Sequence, residues 1–270
     1  MTMILRLLPA ILFALLATPL AAAETPWQTV APGVTMRMVS AGTVGPDGTT
    51  LVGVELAMPE DTKTYWQFPG ETGLPTELDF TGSEGLVTHE VIWPYPQRDR
   101  NQRYANYVYY GPTLLPVELK LNGETARLDV SVVMGVCSEI CVPAQARFSL
   151  SVDGAKDMPN GLRIRQAVAM APIAWDAGEE PIGAVQYRPA DRVLAVWVND
   201  ADIDPASLIA ASATGEAVFG APQKSPEPNL VLIPVLGKSD EIDLENRPVQ
   251  LTFTTGMGAY ELTRSVTLAN

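Results

Sequence analysis

Cys137 and Cys141 are the only cysteines in the chain, and the run Val132-Val-Met-Gly-Val-Cys-Ser-Glu-Ile-Cys-Val-Pro-Ala144 leaves three residues between them. Cysteines so spaced come within disulfide reach if the intervening residues make one turn. A loop this short removes little entropy from the unfolded chain, so the bond should stabilise at the low end of roughly 0–5 kcal/mol. A short-loop bond at the end of a rigid strand is better suited to opening and closing, because thiolate attack needs access to a sulfur more than stability. Two other uses remain open: a permanent disulfide, and copper(I), which soft thiolates select. For copper, Met134, three residues before Cys137, could add a thioether; it also continues the alternation of Val132, which places it in a core. No lysine, arginine or histidine lies between the cysteines, whereas Glu139 does. A neighbouring carboxylate disfavours a thiolate, so the pair should attack slowly until a docked partner changes its surroundings.

His89 is the only histidine, which removes most metal and nucleophile schemes that need several imidazoles. No G-x-S-x-G elbow accompanies it, and its place on an alternating strand reads as structural. No cofactor is expected.

The chain opens with Arg6, an apolar run from Leu7 to Leu20, and small residues at Ala21 and Ala23. That order is a secretory leader, with cleavage expected after Ala23. The apolar run is shorter than the roughly 20 residues of a spanning helix and is interrupted by Pro9 and Pro19, so no membrane insertion is expected after cleavage. An exported chain meets an oxidising compartment in which two cysteines can form one disulfide. Acidic residues number 31 against 18 basic ones, for a formal charge of −13. Such a surface repels phosphate backbones, so no nucleic-acid partner is expected.

The elements that must position the cysteines read as strands. TMRMVSAG near residue 35, TLVGVELAM from Thr50, ARLDVSVVMG from Ala126 and ARFSLSV from Ala146 alternate with period two. GPDG (45–48), PGETG (69–73), TGSEG (81–85) and NGE (122–124) supply the turns between strands. This is the pattern of a β-sandwich. Near residue 154 the texture changes to one helix around Leu162–Met170, and strands then resume from residue 184 to the end. The expectation is an all-β protein in two parts, a sandwich at 24–153 and a small β-rich domain of unassigned role at 158–270.

Several stretches in order resemble one family, the N-terminal periplasmic domain of the disulfide reductase DsbD, in its ScsB-like branch. They are Trp27 to Gly33 (W-x-x-x-x-P-G), Lys63-Thr-Tyr-Trp-Gln-Phe-Pro-Gly70, Gly73-Leu-Pro75, Phe80-x-Gly-Ser-Glu84, Trp93-Pro94, Leu115-Pro116 and Cys137-Ser-Glu-Ile-Cys-Val-Pro143, and the resemblance covers about residues 27–152. It implies an immunoglobulin-like sandwich in the periplasm with one redox pair, Cys137 and Cys141. The pair would take electrons from a thioredoxin-like or membrane-embedded thiol reductase and pass them to oxidised periplasmic proteins. It also implies a cap segment, best matched by Arg98–Gly111, with Tyr107 and Tyr109 as shields and Tyr65 under the pair. The sequence ends at Asn270, before any membrane or thioredoxin-like module, so a disulfide-reductase-like activity is expected to need a separate electron donor. C-x-x-x-C-x-P is similar to the Sco copper chaperones as well, which adds Cys137, Cys141 and Met134 as an alternative copper(I) set.

Overall fold

The computed structural model describes residues 24–101, 104–154, 159–176, 178–212, 217–237 and 242–269. The expected leader and its cleavage point after Ala23 lie outside them, as do residues 155–158 at the expected junction. Strands take up 57% of the described residues, so the all-β expectation holds. Before the helix run β1 (Gln28–Ala31), β2 (Val34–Val44), β3 (Thr49–Ala57), β4 (Lys63–Gly70), β5 (Glu77–Asp79), β6 (Leu86–Val91), β7 (Gln97–Arg98), β8 (Asn106–Tyr110), β9 (Thr113–Leu121), β10 (Ala126–Cys137) and β11 (Cys141–Val152).

These strands form an immunoglobulin-like sandwich. One sheet has the order β1-β2-β3-β9-β6, and the other β11-β10-β4-β8-β7, with β5 pairing with β10. Alternate residues of both sheets fill the space between them. Met36, Val54 and Leu115 of the first sheet meet Trp66, Leu128, Met134 and Phe148 of the second in one buried cluster. This is the interdigitation expected of two faces packed about 10 Å apart. Each fully buried large side chain contributes about 1.5–3 kcal/mol.

Helix α1 (Gly161–Val168) follows. It begins and ends close to the stretch expected from the sequence, but it packs on the first sandwich. Ile164 is buried with Val39 and Ala41 of β2, and the Arg163 guanidinium binds the Glu55 carboxylate of β3. A division at residue 158 therefore leaves α1 on the far side of the boundary from the sheet that it covers.

The second half contains β12 (Ile173–Ala174), β13 (Ile182–Arg188), β14 (Val193–Val198), β15 (Ile209–Ser212), β16 (Val218–Phe219), β17 (Gln223–Lys224), β18 (Leu230–Leu236), β19 (Pro248–Thr255), β20 (Gly258–Ser265) and β21 (Thr267–Leu268), with a short 3-10 turn at Pro205–Ser207. Sheets ordered β12-β20-β19-β15 and β16-β18-β14-β13-β21, with β17 on β18, enclose a core that includes Leu194, Phe219, Ile233, Leu251 and Phe253. Ile209 of β15 is an exception, being buried in the core of the first sandwich.

Candidate functional site

β10 and β11 form an antiparallel hairpin whose last Cα pair is Cys137 opposite Cys141. Val130, Val132, Met134 and Val136 point into the core, so the intervening residues of β10, Gly135 and Cys137 among them, face out of the sandwich. The two sulfurs are joined in a disulfide with the Cα atoms 4.0 Å apart. The bond has a closed side and an open side. Cys137 is 1% exposed, whereas Cys141 is open to solvent. Ser138, Glu139 and Ile140 cross the tip, and the Ile140 side chain is 74% exposed.

The next strand supplies the wall behind Cys137. Tyr65 of β4 is 2% exposed, and its hydroxyl lies 3.0 Å from Cys137 Sγ and 3.7 Å from Cys141 Sγ. Its ring occupies a slot made by two glycines. A Cβ on Gly135 would come within 2.9 Å of one edge of the ring, and a Cβ on Gly73 within 2.6 Å of the other. Burial, reinforced by the charge of Asp99, raises the Tyr65 phenol above its ordinary value, so it keeps its proton where thiols titrate.

Beside Tyr65, three residues align across neighbouring strands. Cys137 pairs with Lys63 of β4, and Lys63 pairs with Tyr110 of β8. Side chains so opposed lie with Cβ atoms about 4.5–5.5 Å apart. Asp99, just past β7, closes the row. Its carboxylate binds the Lys63 ammonium, accepts the Tyr110 hydroxyl at 2.6 Å and accepts the Asn101 N–H at 3.0 Å. Burial works to raise the Asp99 carboxyl, but the hydrogen bonds from Lys63, Tyr110 and Asn101 outweigh it and hold it below the usual value. The Arg100 guanidinium lies 4.2 Å over the Tyr110 ring. The ammonium of the residue that pairs with Cys137 across the strands is thus already neutralised.

The structure places other expected site residues elsewhere. Tyr107 and Tyr109 are not over the disulfide; both are buried in the sandwich core. Tyr107 stands edge-on to Trp66, and Tyr109 donates to the Pro94 carbonyl at 2.6 Å. The physical reason is the face of β8. Residues 107 and 109 face inward, and Val108 and Tyr110 face outward to join Tyr65 and Cys137. The latter part of the expected cap is therefore an interior strand of the sheet. Met134 is fully buried, with its Sδ 3.7 Å from the Thr64 hydroxyl, on the opposite face of β10 from Cys137. The three-ligand copper arrangement is not assembled. Among the described residues no group of three or more His, Cys, Asp or Glu side chains could hold a metal. His89, on edge strand β6, packs its ring 4.3 Å from that of Phe80.

Lys63, Asp99 and Tyr110 escaped the sequence reading. Lys63 lies within a stretch that the reading used, but its partner is 36 residues away. In Asn106-Tyr-Val-Tyr-Tyr110 aromatic residues occupy both faces, so alternation alone does not tell which tyrosine turns outward.

A β-sandwich that carries a half-open disulfide at a hairpin end, backed by a phenol hydroxyl, is an arrangement suited to thiol–disulfide exchange. Residues 33–153 match the family described as thiol:disulfide interchange protein DsbD, N-terminal, which supports a DsbD/ScsB N-terminal domain over that segment. The crystal structure of the N-terminal periplasmic domain of ScsB from Proteus mirabilis superposes with a TM-score of 0.71 at 19% identity. It covers 92% of this chain and 99% of that one. At that identity the likeness is one of fold, and its coverage carries it beyond residue 153 into the second half. No curated protein matches the sequence.

Proposed function

We infer that the protein is a periplasmic thiol–disulfide exchange module that relays electron pairs through Cys137 and Cys141. The donor is a thioredoxin-like or membrane-embedded thiol reductase, and the acceptors are oxidised periplasmic proteins. The observation that carries this reading is the asymmetry of the disulfide, with one sulfur open to a partner and the other held against Tyr65.

In the reduced protein the Cys141 thiolate attacks one sulfur of an acceptor disulfide, and the other acceptor sulfur leaves as a thiolate that takes up a proton. The Cys137 thiolate then attacks Cys141 Sγ, breaking the mixed disulfide and releasing the second acceptor thiolate. Two electrons have passed to the acceptor, and the Cys137–Cys141 bond is restored. Reloading runs the sequence backward: a donor thiolate attacks the exposed Cys141 Sγ, Cys137 leaves as a thiolate, and the second donor thiol releases Cys141. The Tyr65 hydroxyl is placed to donate to Cys137 Sγ whenever that sulfur carries charge, in a leaving group or a nucleophile.

Equilibration of the purified protein with glutathione buffers, followed by thiol counting, tests the reading. A reduction potential between about −120 and −270 mV, the range of exchange proteins, is expected. A bond that stays closed below about −300 mV is a staple and overturns the proposal.

A further inference from the structure

The second half of the chain touches the redox region through its 3-10 turn. The Arg98 guanidinium, at the end of β7, donates from Nη1 to the Ala206 carbonyl at 2.7 Å and from Nη2 to the Leu208 carbonyl at 2.8 Å. Between them, the Tyr95 hydroxyl donates to the Ser207 carbonyl at 2.5 Å. The turn itself is well anchored. The Asp204 carboxylate accepts from Ala206 N–H at 2.9 Å, and the Ser207 hydroxyl accepts from Thr254 N–H of β19 at 2.8 Å. Ile209, just beyond it, is buried in the first core.

Arg98 is covalently next to Asp99, and Asp99 neutralises Lys63, the cross-strand partner of Cys137. An ammonium on the residue cross-strand from the cysteine, relieved of its carboxylate, favours a thiolate. We propose that the second half is a brace for the redox pair: its Ala206, Ser207 and Leu208 carbonyls fix Tyr95 and Arg98, and Arg98 thereby holds Asp99 on Lys63. So held, Cys137 is a weak nucleophile; a partner that displaces the segment frees Lys63 and sharpens the thiol. Arg98 is then a positioning residue. Other polar groups face the sulfur from the elements around it, the Tyr65 hydroxyl from β4, Tyr110 from β8 and Glu139 from the hairpin tip; Tyr65 and Glu139 keep their places when Arg98 is replaced, whereas Tyr110 loses its Asp99 partner together with Lys63.

The inference rests on the exchange reading, but its test does not use exchange. In the full chain, reduced chemically and labelled with 13Cβ-cysteine, the pH titration of the Cys137 resonance is followed in the parent, Arg98→Ala, Arg98→Lys and Asp99→Asn. Asp99→Asn and Arg98→Ala are expected to lower the Cys137 midpoint by about one pH unit, the low end of the effect of an unneutralised cation within about 4–6 Å. Arg98→Lys, with fewer donors in a different geometry, should fall between. Tyr95→Phe, a milder change that leaves both Arg98 bonds in place, should move the midpoint the same way by less. Faster amide exchange at residues 97–101 in Arg98→Ala with an unmoved midpoint overturns the brace, as does a shift in Asp99→Asn alone. A bond too stable to exchange fails the potential measurement instead and leaves these midpoints readable.

Discussion

Cys137 and Cys141 are directly opposed across the end of one hairpin, yet the first is 1% exposed and the second is open to solvent. Single-cysteine variants should separate them. Cys137→Ser, which keeps the open sulfur, is expected to react with an aromatic disulfide reagent at least about tenfold faster than Cys141→Ser, a difference of about 1.4 kcal/mol in barrier. Equal rates, followed by thiolate release in a stopped-flow instrument, would remove Cys141 as the sulfur that meets partners.

Tyr65→Phe deletes the hydroxyl 3.0 Å from Cys137 Sγ and leaves the ring in its slot. A hydrogen bond to a charged group contributes about 1.5–3 kcal/mol, and 1.36 kcal/mol corresponds to one pKa unit. The Cys137 titration midpoint is therefore expected to rise by about one unit, opposite in sign to Asp99→Asn. The same NMR titration checks it.

Gly135→Ala puts a methyl group within 2.9 Å of both the Tyr65 ring and the Leu74 Cβ. Such crowding costs about 1–3 kcal/mol, read as a lower urea midpoint. Because the ring must move, dithiothreitol should reduce this variant at a changed rate. A loss of stability with an unchanged rate would show that the Tyr65 position does not govern the bond.

Ile140 is exposed at the tip and leaves the fold almost untouched when replaced, so Ile140→Ser should stay within about 0.5 kcal/mol of the parent in stability. Reduction by dithiothreitol should not change. Reduction by a thioredoxin-like protein should slow by several fold, since the apolar area buried on docking is lost. Equal slowing with both reductants would place Ile140 in the chemistry and not in docking.

Acid should loosen α1. Burial works to raise the Glu55 carboxyl, but hydrogen bonds from Arg163 and Arg37 outweigh it and keep the folded value below the ordinary one. A depressed folded value means stabilisation that is complete above the ordinary glutamate range, near about pH 4.3, and lost as pH falls through the folded value. Amide protection at Ile164 is expected to drop between pH 6 and pH 3, and Glu55→Gln should be weakly protected and flat across that window. A parent curve as flat as that of the variant would rule out the clamp.

Much of the scaffold was legible because it is local. β2, β3, β10 and β11 show their alternation directly, and the cysteines lie at the end of the strand that the alternation traces. Tyr65 came from the family resemblance, and the structure sets its hydroxyl against Cys137. What the sequence hid is non-local. Lys63, Asp99 and Tyr110 meet only because β4 lies between β10 and β8, and Tyr107 and Tyr109 turn inward because Trp66 and the core receive them. The docking of α1 on the first sandwich depends on Ile164 finding Val39 and Ala41, a contact that helical periodicity does not specify.

The hairpin that carries the disulfide is twelve residues long on each arm, and the bond lies at its very tip. Opening the bond releases only the ring closed by three intervening residues, while the ladder down to Ala126 and Val152 stays paired. Charging and discharging the pair therefore does little work on the rest of the molecule. Heat stability should be nearly independent of redox state, so that exchange, as proposed, would not carry the protein through an unfolded, aggregation-prone form.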